Sequence, residues 1–248
     1  MMSDTWFIEL VIIFFSGIIH GMLGFGFPMI STAFLAMFMD LKKAVLYTLL
    51  PTIALNFFSL KRDNSFSSIW KEYWLLIVSV MVGSVVGTNL LVFYYSDKYK
   101  LILAALILLY LNKDRLKISL SSRVQNHPKG MMVLFGFLSG VAGGMANIMI
   151  PVLLILILEL NIEKKRAIGV MNFCFICNKS LQVLIFGYNG NFNFQTLPYI
   201  SLFVLIAIIG FFIGSRVQDK IDEKLYKKLL NTLLWPLSFY LIVSTFYK

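Results

Sequence analysis

The sequence predicts an all-α integral membrane protein of two inverted repeats, each an interrupted hydrophobic hairpin followed by three transmembrane helices. Three observations carry this. Hydrophobic residues make up 59% of the 248 positions and charged residues 14%, against roughly 45–50% and about 25% in a soluble domain. Apolar runs recur at 6–22, 26–39, 43–60, 73–95, 99–112, 131–145, 146–160, 167–186, 196–215 and 229–247. The motifs of the first half also return, in the same order, in the second.

A helix needs about 20 residues to cross a bilayer. The runs 43–60, 73–95, 167–186, 196–215 and 229–247 have suitable lengths. The run 99–112 is short, and the basic residues at its start can extend it by snorkelling. The runs 26–39, 131–145 and 146–160 are too short to cross comfortably.

The duplication is direct to read. SGIIHGMLGFGFP, DLKKAV, GSVVGTNLL and DKYKLILAALILL are answered by SGVAGGMANIMIP, NIEKKRAI, GFFIGSRV and EKLYKKLLNTLL. Ala44 and Ala167 are 123 residues apart, and Gly83 and Gly210 are 127 apart. The first repeat therefore covers 1–112, a basic cytoplasmic linker 113–129, and the second repeat 130–248. Three spans per copy is an odd number, so the second copy sits upside down. Charge agrees: the loops 61–72, 113–129, 161–166 and 216–228 carry 16 Lys and Arg, and the opposite side carries five. Loops rich in Lys and Arg stay in the cytoplasm, which puts both termini outside the cell membrane. Whether each interrupted region is a re-entrant hairpin or two short crossings stays open.

Other classes fit less well. The net charge of +10 does not point to nucleic acid, because the basic residues lie in loops between apolar runs. The opening MMSDTWFIEL has no Lys, Arg or small-residue cleavage site, so it does not read as a cleaved signal peptide. Cys174 and Cys177 sit in apolar helix with no acid or His nearby, and read as core residues, not as a metal or redox pair. No nucleotide-binding, metalloprotease or hydrolase signature occurs, so no enzyme, cofactor or metal is expected.

The candidate site follows from the polar residues inside these spans. Lys179 lies about 12 residues from the inner end of its helix, roughly 18 Å deep in a hydrocarbon core of about 30 Å. A lysine at that depth is expensive and points to a substrate pathway, although it could instead snorkel or cap backbone carbonyls. Asn172 and Gln182 share its helical face and Asn178 flanks it. The glycine pairs Gly17/Gly21, Gly83/Gly87, Gly136/Gly140 and Gly210/Gly214 read as close-packing faces. Gly24 and Gly26 before Pro28, and Gly143 and Gly144 with Asn147 before Pro151, read as helix breaks. A broken helix offers free N–H groups and a positive dipole end to an anion. Broken helices at matching positions of two repeats mark a transporter's binding site. His20, one turn before the first break, is a candidate anion or proton ligand, or a histidine bonded to a neighbouring helix. Thr48 and Asn56 are weaker candidates; Asn56 stands at the first-repeat position of Lys179.

The stretches GFLSGVAGGMANIMIP (136–151), KKRAIG (164–169) and HGMLGFGFPMI (20–30) resemble the TauE/SafE family of sulfite and organosulfonate exporters, across nearly the whole chain. The resemblance implies export of small sulfur-containing anions, with the lipid bilayer and a small anion as partners. An anion channel and a non-transporting assembly or anchoring protein are the alternatives, and a homo-oligomer stays open.

Overall fold

The computed structural model describes residues 6–62, 66–94, 121–192 and 196–218, with scattered positions between 96 and 112 and between 225 and 245. Its elements are helices: α1 (Trp6–Leu23), α2 (Phe27–Leu35), α3 (Leu41–Arg62), α4 (Phe66–Phe93), α5 (Ser121–Asn126), α6 (Pro128–Ala146), α7 (Ile150–Glu159), α8 (Lys164–Tyr188) and α9 (Leu197–Ser215). No strand occurs among the described residues. Six of the helices, α1, α3, α4, α6, α8 and α9, are long and apolar enough to cross a membrane. The chain is a multi-pass membrane protein. The runs 99–112 and 229–247, expected as the third span of each repeat, are described only at scattered positions, and 113–120 of the linker lies outside the described residues.

Two boundaries differ from those the sequence suggests. The run 131–145 is part of a 19-residue crossing helix, because α6 begins at Pro128. Proline fits the first turn of a helix, where its missing N–H costs nothing, so a polar start does not delay the helix. The linker is not all loop either, since α5 occupies Ser121–Asn126.

The helix breaks are built by left-handed residues. Gly24 has φ 83° and Gly26 φ 107° between α1 and α2. In the second copy the left-handed residue is Asn147, φ 62°, which stands 123 residues after Gly24. Asparagine is the non-glycine residue that best tolerates this region. The Asn147 and Ile148 amides close the end of α6 on Gly143 O (3.2 Å) and Ala142 O (3.3 Å). Gly143 and Gly144, expected to make the second break, instead lie inside α6. Their missing side chains serve close approach: a Cβ on Gly144 would fall 2.7 Å from Ser84 O, and one on Gly143 3.1 Å from Asn178 Nδ2. The half-helices α2 and α7, of 9 and 10 residues, reach only about 13–15 Å, roughly half of a bilayer core.

Glycine also decides how the long helices pack. A Cβ on Gly83, Gly87 or Gly140 would run into backbone of the facing helix, joining α4 to α6. Gly17, Gly21, Gly210 and Gly214 do the same between α1 and α9. Among the described residues these two pairs share the most extensive packing, and α3 and α8 also pack against each other. The tight glycine pairing places backbone on backbone, where dispersion and Cα–H···O contacts replace side-chain packing.

Gly140→Leu should lower the thermal unfolding midpoint in detergent sharply, since overpacking a filled contact costs about 1–3 kcal/mol or more. Gly130→Leu is the control: nothing lies within 4 Å of its added Cβ, and its midpoint should be nearly unchanged.

Candidate functional site

Four helices meet in a polar cluster at the heart of the bundle. Lys179 on α8 is fully buried. Its ammonium donates to Gly143 O at 3.0 Å, to Asn147 Oδ1 and to Gln182 Oε1. Gln182, one turn on along the same helix face, donates through Nε2 to Gly144 O at 2.5 Å. An ammonium has three donors, and here all three meet neutral oxygens. No carboxylate is among these partners. Lys179 neither snorkels outward nor stands unpaired; it caps oxygens made available by the end of α6.

Asn147 joins the two halves of the chain. Its amide oxygen accepts from Lys179, and its Nδ2 donates to Thr32 Oγ1 on α2 (2.6 Å) and to Thr48 Oγ1 on α3 (2.9 Å). The two threonine hydroxyls lie 3.0 Å apart. The left-handed backbone at Asn147 aims this amide inward, so the break and the cluster are one construction. Thr32 is a site residue that sequence reasoning passed over. Its equivalent 123 positions later is Ile155, so the repeat offers no polar match; the available signal was a hydroxyl on the half-helix just after a break.

The remaining candidates lie around this centre. Asn172 ties α8 to the first break, with Nδ2 donating to Gly24 O and to Ile168 O, both at 2.8 Å. Asn178 donates through Nδ2 to Gly140 O at 3.3 Å, and its backbone carbonyl accepts from Ser84 Oγ at 3.1 Å. Asn56 donates to Thr52 O at 2.6 Å. The side-chain oxygens of Asn56, Asn172 and Asn178 are buried and accept no hydrogen bond among the described residues. At Gly26 an added Cβ would make ordinary contact with Ile30 at 3.8 Å, so it is the left-handed φ that requires glycine there.

His20 is not joined to Lys179. Its Nδ1 accepts from Phe27 N–H at 3.3 Å, which leaves Nε2 to donate to Ser59 Oγ at 3.1 Å. The imidazole thus satisfies one of the free N–H groups at the start of α2. The second copy reverses the sizes: Gly143 stands where His20 does and Lys179 where Asn56 does, each 123 residues on. A large residue on the first helix of one repeat is replaced by a large residue on the third element of the other.

A family model described as sulfite exporter TauE/SafE matches residues 9–241. The chain belongs to the TauE/SafE family. No curated protein and no solved structure matches it. TauE/SafE membership agrees with the resemblance read from the glycine motifs, and the matched range contains both breaks and the whole Lys179 cluster. It makes the chain a member of a transporter family.

Asn147→Gly keeps the left-handed turn but removes the amide, whereas Asn147→Ala removes both. Thermal melts should rank wild type above Asn147→Gly, and Asn147→Gly above Asn147→Ala, with about 1 kcal/mol between the last two.

Proposed function

We propose that the protein exports a small sulfur-containing anion, such as sulfite or an organosulfonate, across the cell membrane by alternating access. The observation that carries this reading is the Lys179 ammonium. It is buried among neutral oxygens, next to two helix breaks, and its three bonds all go to uncharged partners. A fixed positive charge held by neutral groups is a place for an anion, and exchanging a neutral oxygen for a charged one strengthens the hydrogen bond. Asn147 and Gln182 can turn their amides as Lys179 passes from their oxygens to those of the substrate. Asn172, Asn178, Thr48 and Asn56 line the approach. Gly24 and Gly26 supply the left-handed turn of the first break, and Gly143 and Gly144 let α6 come close to Asn178 and Ser84, with their carbonyls on Lys179 and Gln182. The half-helices α2 and α7 add the positive ends of their dipoles.

The same reading takes the two repeats as inverted. Its support is reciprocal packing: α4 of the first copy lies on α6, the opening helix of the second, and α9 of the second lies on α1, the opening helix of the first. With the basic loops inside, both termini are outside.

Lys179→Met should abolish uptake of labelled sulfite and of methanesulfonate into proteoliposomes while the protein still inserts and elutes as one species. Unchanged uptake of both anions in that variant would remove Lys179 from the pathway.

A further inference from the structure

The alternating-access reading requires a closure at each end of the bundle, and the structure holds two polar latches at related positions. At one end Arg166, in the first turn of α8, reaches across to α4. Its guanidinium donates to Ser68 Oγ and to Glu72 Oε2, each at 2.7 Å, and lies 5.9 Å from the Tyr73 ring centre. Phe66 and Trp70 cover Phe173 of α8 at 4.5 and 6.0 Å between ring centres. The stretch Phe66–Glu72 is set off from the rest of α4 by Tyr73, whose φ of −115° and ψ of 20° interrupt the helix. That stretch lies as a flap over the start of α8.

At the other end the corresponding helices meet again. Tyr47 of α3 packs on Tyr199 of α9 at 5.5 Å and on Phe203 at 6.0 Å. The Tyr199 hydroxyl donates to Glu9 Oε2, a carboxylate turned inward on α1 and only 2% exposed. Lys43 sits 5.8 Å from the Tyr47 ring centre, and Asp40 caps the start of α3 through the Lys43 amide at 2.8 Å. Arg166 stands 123 residues after Lys43, and Tyr199 stands 127 after Glu72. These are the offsets that relate the two repeats. Each latch therefore joins the start of the third element of one copy to the start of the fourth element of the other. Both are closed around a centre that is fully buried at Thr48, Asn147, Lys179 and Gln182.

We infer that Arg166 with Ser68 and Glu72, and Tyr47 with Tyr199 and Glu9, are the two gates of the transport path, opened one at a time. The inference rests on the alternating-access reading but not on the identity of the anion. The inner gate is suited to opening: Arg166 and Glu72 are 25% and 57% exposed, and an ion pair that wet is weak. The outer gate is aromatic, and its one carboxylate holds Tyr199 in place; Glu9 and Tyr199 are positioning residues here.

The test uses the full chain in proteoliposomes with Cys174→Ala and Cys177→Ala, and with Thr48→Cys as reporter. A membrane-impermeant anionic methanethiosulfonate, of the charge the Lys179 centre attracts, is added from one face at a time. Arg166→Ala should speed modification about fivefold from the Arg166 face alone, the effect expected of losing a weak ion pair. Tyr47→Ala should do so from the opposite face alone. Glu72→Gln and Tyr199→Phe, gentler changes that leave the packing in place, should show the same sidedness to a smaller extent. Equal rates from both faces, or no change in any of the four variants, would overturn the gates. Counterflow of labelled sulfite in the wild type is scored separately. If it is absent while the sidedness holds, the choice of anion falls and the gates stand.

Discussion

The arrangement of the whole centre follows from the need to hold one ammonium group inside an apolar bundle. An unpaired charge there would cost far more than the fold can supply. The chain meets that need with geometry instead of opposite charge. Gly143 O is presented by a helix with no side chain in the way, Asn147 Oδ1 by a left-handed turn, and Gln182 Oε1 by the next turn of the same helix. Remove any of these and the lysine loses one of its three partners. The break after α6 is thus fixed by the same residue that holds the charge.

That dependence explains why the cluster spans both copies of the repeat. Asn147 alone cannot saturate its amide from its own half, so its Nδ2 bonds run to Thr32 and Thr48 in the other. Asn172 returns the link, from α8 to Gly24. The helix breaks are consequently held in register by side chains, although each break is made by backbone conformation.

Much of this was legible in the sequence, for identifiable reasons. Lys179, Asn172 and Gln182 stood out because a polar face is conspicuous in a lipid-facing composition, and periodicity alone put them together. The glycine pairs were readable because close packing leaves a four-residue spacing. The position of the second break was not, since two adjacent glycines serve packing and breaking equally well. What decided it was the backbone at Asn147: the sequence placed this asparagine at the break, but not that it, and not the glycines, makes the left-handed turn. Thr32 escaped for the opposite reason: hydroxyls on a short apolar helix are common, and only its neighbour across the bundle makes it part of the site.

The glycine contacts carry one more consequence. Where backbone touches backbone with no side chain between, two helices cannot slide without lifting apart. α4 is bound in this way to α6, and α1 to α9, so each stiff unit takes one helix from either copy. The two similar halves of the sequence are therefore not the two tightly packed units of the molecule. A motion that keeps these contacts intact has to run along the seams between the two pairs, where α3 and α8 pack.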